Sequence, residues 1–155
     1  MTRTLAIPAL VLALAAWTAA DAGAQPRQVR AELDGFEEVP ALSTTGNGTF
    51  RATLSRDGDE LSYELSYADL EGMVAQAHLH LGQRGVNGGV SIFLCTNLNN
   101  GPAGTQPCPP APATISGSVS AADVIGPADQ GIDPGELDEV VRAIRDGSVY
   151  VNVHS

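Results

Sequence analysis

Along most of the chain, apolar and polar residues alternate with a period of two. Residues 49–54 place Phe50, Ala52 and Leu54 on one face, and residues 61–67 place Leu61, Tyr63, Leu65 and Tyr67 together. Successive strand side chains point to opposite sides, so this pattern predicts half-buried β-strands. Between the two runs lies SRDGDE, where Asp57-Gly58 supplies the positive φ of a tight hairpin. Residues 29–33 predict an earlier strand. Further on, Ala75, Ala77, Leu79 and Leu81 alternate with Gln76, His78, His80 and Gly82. Near the end, Val149, Val151 and Val153 alternate with Ser148, Tyr150, Asn152 and His154. Residues 90–95, VSIFLC, are more continuously apolar and predict a central strand.

One segment breaks the alternation. Asp133 is a good N-cap, Pro134 suits a first turn, and Glu136 three residues on completes a capping-box pattern. Leu137, Val140, Val141 and Ile144 then recur at helical spacing until Gly147 stops the helix. A shorter helical turn is expected over 121–124, and PCPPAPA reads as an extended connection. Short strands separated by turns, with one late helix, predict a mostly β fold: an antiparallel β-sandwich of Ig-like or Greek-key type with one inserted helix.

The N-terminus sets the expected compartment. Arg3 precedes the apolar run IPALVLALAAWTAA, and Ala22-Gly23-Ala24 offers a small-x-small cleavage site. Residues 1–24 therefore read as a secretory signal peptide, with a retained N-terminal anchor as the alternative. Residues 25–155, about 130 residues, are the size of one domain, and no later segment is long and apolar enough to span a membrane. A secreted or periplasmic location follows. The formal net charge is −10 and lysine is absent, which makes nucleic acid and anionic membranes poor partners. In such a compartment Cys95 and Cys108 are expected to form a disulfide closing the Gly/Pro/Asn-rich stretch between them. Asn47-Gly48-Thr49 matches a glycosylation sequon, but the same residues suit a turn before a strand.

The histidines carry the chemistry. His78 and His80 are two apart in a predicted strand, so both point to one face with Cα atoms about 6.5–7 Å apart. Two imidazoles so placed can converge on one ion at about 2.0–2.1 Å from each nitrogen. His154 lies on the same polar side of its own strand. If the two strands are neighbours, the three rings meet, and three imidazoles with an open fourth position suit copper or zinc. The alternative is structural: rings bonded to backbone or to Asn152, Asn87 or Gln76. Glu37 and Glu38 are adjacent in an extended segment, point to opposite faces, and cannot work as one acid/base pair. GQRGVNGG precedes no helix and reads as a turn, with Arg84 free to pair with an acid. No catalytic residue is assigned, because no nucleophile–base order is present.

With the elements in this order, the chain resembles the CHRD domains, named for the repeats of chordin. The matching stretches are LDGFEEVP (33–40), Gly46 and Gly48 before a strand, and AHLHLGQRGVNGGVSIFL (77–94). Residues 117–124 and DGSVYVNVHS (146–155) match as well. Family members usually continue with a further strand after this last motif, so the resemblance implies an unpaired edge here. It also implies a non-enzymatic module acting through contacts with an extracellular or periplasmic protein, whose identity the resemblance leaves open. A copper- or zinc-binding metalloprotein using His78, His80 and His154 is the competing expectation.

Overall fold

At Asp57-Gly58 the chain turns back on itself with Gly58 at φ 84°, and Ser55 N–H donates to Glu60 O at 2.8 Å, closing the expected hairpin. The computed structural model describes residues 27–155; the predicted signal peptide, its cleavage site and the alternative anchor lie outside the described residues. Seven strands and one helix follow in order: β1 (Gln28–Asp34), β2 (Asn47–Leu54), β3 (Glu60–Ala68), β4 (Gln76–Leu81), β5 (Gly89–Thr96), β6 (Ala113–Ser120), α1 (Leu137–Asp146) and β7 (Val149–His154). They form two antiparallel sheets, one ordered β1-β2-β3-β6 and the other β5-β4-β7, which is the expected sandwich.

Register places the apolar sides in line. Phe50 lies opposite Leu65, which lies opposite Ile115, and all three are buried. The Tyr63 hydroxyl donates to Leu94 O at 2.8 Å and accepts from Gln106 Nε2 at 2.7 Å, tying the first sheet to the second. Burial of this order drives the fold at about 25 cal/mol per Å² of apolar surface.

Three expectations need correction. Residues 113–120, left without an element by the alternation, are β6. Only Ile115 and Val119 carry bulk there, because Gly117 makes room for Tyr63; a Cβ at 117 would stand 3.0 Å from that ring. VSIFLC is not central: β5 is the edge strand of its sheet, and β4 is the middle one. The continuous burial of β5 comes from the chain covering that edge, with Ile125 N–H donating to Ser91 O at 2.9 Å and Ile92 bridged to Val124. The helix begins at Leu137 rather than after Asp133, because Gly135 adopts φ 95° and interrupts it. The Glu136 carboxylate still accepts the Asp133 N–H at 2.8 Å, half of the capping box, and Gly147 ends the helix at φ 77° as expected. The short turn near 121 is a single 3-10 turn, Ala121–Asp123.

Cys95 and Cys108 form the expected disulfide, and both are buried. Asn97 braces the same loop, donating from Nδ2 to Val74 O and Cys108 O and accepting the Cys108 N–H. Closing a loop of this size restricts the unfolded chain by about 3 kcal/mol. The double variant Cys95→Ala/Cys108→Ala is expected to fold, held by Asn97, with urea stability lower by about that amount. Two reactive thiols in the native, unreduced protein would contradict the bridge itself.

Candidate functional site

Both sides of β4 are buried. Ala77 and Leu79 occupy one side, His78 and His80 the other, with exposures of 0% and 1% against 1% and 8%. The alternation marked this side only as polar; in the structure it is buried, because Phe93, Tyr150, Asn152 and each other's rings surround the histidines. The β4–β7 pairing brings in the rest: Asn152 lies opposite His78, Tyr150 opposite His80, and His154 opposite Gln76, diagonal to His78. The expected meeting of three histidines therefore occurs. Ring centroids are 5.4 Å apart for His78–His80, 5.3 Å for His78–His154 and 6.5 Å for His80–His154.

Local backbone sets these rings. The β4–β5 register slips at Ala77/His78 and again at Leu79/His80, so β5 carries an extra residue on each side of the Phe93–His78 pair. Such bulges re-aim side chains. Here Phe93 stands edge-on to His78 at 4.4 Å. The Gly82–Gly88 turn then clamps the second ring. His80 Nδ1 bonds Gly88 O at 3.0 Å, and Gly88 N–H donates to the Tyr150 hydroxyl at 3.1 Å, while Tyr150 stacks on His80 at 4.8 Å and 7°. Position 88 has to be glycine, since a Cβ there would stand 1.7 Å from Leu81 O.

A carbonyl oxygen can only accept, so His80 Nδ1 carries the proton and Nε2 holds the lone pair. That Nε2 is buried, and among the described residues it has no hydrogen-bond partner. Neither nitrogen of His78 has one either, although burying such atoms unpaired costs about 1–3 kcal/mol each. The structural alternative, rings satisfied by Asn152, Asn87 or Gln76, is therefore not what the structure shows for His78. Burial and the neighbouring imidazoles push His78 down to about pKa 4. Burial also lowers His80, opposed by the Gly88 bond and the Glu38 charge; burial and then His80 lower His154. At neutral pH all three rings are uncharged and offer lone pairs.

The three histidines present one nitrogen each, all within 4.8 Å of one another. A metal bound at 2.0–2.1 Å to three nitrogens holds them roughly 3.3–3.6 Å apart, so contraction on the order of 1 Å completes the set. His154 is the exposed member, and it opens with His80, Tyr150, Asn152 and Glu38 onto a cleft of about 630 Å³ between β1 and β7.

Sequence reasoning named the three histidines but not their surroundings. Glu38 had entered only as half of an adjacent pair. The expected strand alternation does not apply to the pair, because Glu37 ends a 3-10 turn, Gly35–Glu37, and both residues line the cleft; Glu37 pairs with Arg84, and Glu38 accepts both bonds of Asn152 Nδ2, at 2.8 and 3.0 Å. Glu38 and Asn152 are 114 residues apart, so spacing along the chain carries no trace of the pair. Tyr150 and Phe93 were visible only as strand residues.

No curated protein and no solved structure matches the chain. A family model described as CHRD domain matches residues 29–155, from β1 through the NVHS segment that delivers His154. The match spans both sheets and all three histidines, and the chain belongs to the CHRD domain family.

Proposed function

We propose that this domain is an exported metal-binding protein that holds one zinc or copper ion through His78, His80 and His154, for storage, delivery or weak redox chemistry. One observation carries the reading: nitrogens of the buried His78 and His80 and the exposed His154 converge, and those of His78 and His80 Nε2 lack any hydrogen-bond partner among the described residues. A cation supplies a partner for one nitrogen on each ring at once. The Nδ1 bond of His80 to a backbone carbonyl is the kind of second contact that fixes a ligating ring. Neutral imidazoles suit zinc and copper, while magnesium and calcium prefer oxygen donors. The Cys95–Cys108 bridge agrees with an oxidising compartment.

Metal analysis of untagged protein tests this. One equivalent of zinc or copper per chain is expected, with affinity reduced at least about 100-fold in His80→Ala, which removes a direct ligand. Wild-type protein that takes up neither metal at micromolar concentration would overturn the reading. A second reading, a module acting through contacts with another exported protein, is favoured by Phe36 and Leu42, which are 71% and 55% exposed. Under that reading, His80→Ala leaves partner capture intact.

A further inference from the structure

Imidazole ligands are neutral, so a dication placed among three of them needs compensation from elsewhere. Asn152, 8% exposed and opposite His78, donates Nδ2 to both oxygens of Glu38. That bidentate contact fixes the amide, because rotation would press Oδ1 against the carboxylate. Asn152 Oδ1 is therefore turned away from Glu38, and it is buried with no partner among the described residues. Glu38 itself has no cationic partner among the described residues, whereas the charge of neighbouring Glu37 is answered by Arg84.

We infer that Glu38, held in place by Asn152, is the charge-compensating residue of the histidine site and sets its preference for a dication over Cu⁺. The inference rests on the metal-binding reading above. Glu38 acts through Asn152 and through space, and is a positioning residue. Glu38 lines the same cleft as His80, Asn152 and His154. A fixed negative charge stabilises a bound ion in proportion to the ion's charge, so Zn²⁺ and Cu²⁺ gain about twice what Cu⁺ gains.

The test is Glu38→Gln, which keeps an acceptor for Asn152 but removes the charge. Zn²⁺ and Cu²⁺ affinities, measured by chelator competition, are expected to fall roughly 10- to 100-fold, the range for partners behind metal ligands. Cu⁺ affinity is expected to fall by only the square root of that factor, about 3- to 10-fold. The Cu²⁺/Cu⁺ potential then rises by about 30–60 mV, at 59 mV per tenfold for one electron. Glu38→Asp, which retains the charge, is expected to keep most of the wild-type preference, and it serves also if the glutamine variant does not fold. Equal losses for Cu²⁺ and Cu⁺ in Glu38→Gln, or a Glu38→Asp variant that loses the preference fully, would overturn the inference while leaving the metal site standing. Wild-type protein that binds no metal would overturn both.

Discussion

Adding excess Zn²⁺ to metal-free protein at pH 7.5 is expected to raise its unfolding free energy by about 4 kcal/mol when free metal stands near a thousand times its dissociation constant. The gain follows from linkage: the folded chain assembles three nitrogens within 4.8 Å, and the unfolded chain separates His78 and His154 by about half its length. It should vanish on adding a chelator. Acid should remove it too. With its ordinary pKa of 6.5 in the unfolded chain and about 4 in the fold, His78 takes up a proton between these values only when the protein unfolds. Above pH 6.5 both states hold a neutral ring and the group makes no difference. As pH falls from 6.5 to about 4, the metal-free fold loses stability on the order of 3 kcal/mol from this residue, and below that the loss levels off. His80 and His154 are shifted the same way and add to the loss. Bound metal withholds the nitrogens from protons, so the loaded protein should resist acid at first and then lose metal and stability together. Urea titrations at several pH values, with and without zinc, measure both curves. A metal-free protein whose stability is flat from pH 7 to 4.5 would contradict the buried, neutral His78.

The sandwich was legible because alternation is a local signal. LSYELSY and TFRATL announce their faces residue by residue, and Asp57-Gly58 announces the turn between them. β6 escaped because its bulk was ceded to Tyr63 across the sheet, leaving a glycine where alternation calls for an apolar side chain. The helix start was misplaced by three residues because good capping residues preceded Gly135, whose left-handed backbone excludes it from the helix. At the site, two-residue spacing correctly joined His78 to His80, and the matching side of β7 joined His154. What spacing could not reveal is that this side is buried. Polar letters on a strand suggest water, whereas here Phe93 and Tyr150 pack against the rings, and Glu38 arrives from the far end of the chain to hold Asn152. Those contacts are tertiary and depend on the fold of the whole chain.

Burial without partners makes His78 the residue at which stability and function should separate most sharply. Its ring is 1% exposed and both nitrogens lack hydrogen-bond partners among the described residues, so in the metal-free protein the side chain pays for its polarity with no return. Leucine has similar volume and no polar atom. His78→Leu is therefore expected to stabilise the metal-free protein by about 1–3 kcal/mol, the cost of the unpaired group, and to flatten its dependence on pH between 6.5 and 4. The same change removes one of three ligands and should weaken zinc or copper binding at least about 100-fold. The stabilisation by added zinc should then disappear, so that the variant unfolds at higher urea than wild type without metal and at lower urea with it. A purely structural His78, serving the packing of Phe93 and His154, gives the opposite result: leucine loses the edge contacts and destabilises the metal-free protein. Crossing of the two urea curves on addition of metal is the outcome that only a ligand residue produces.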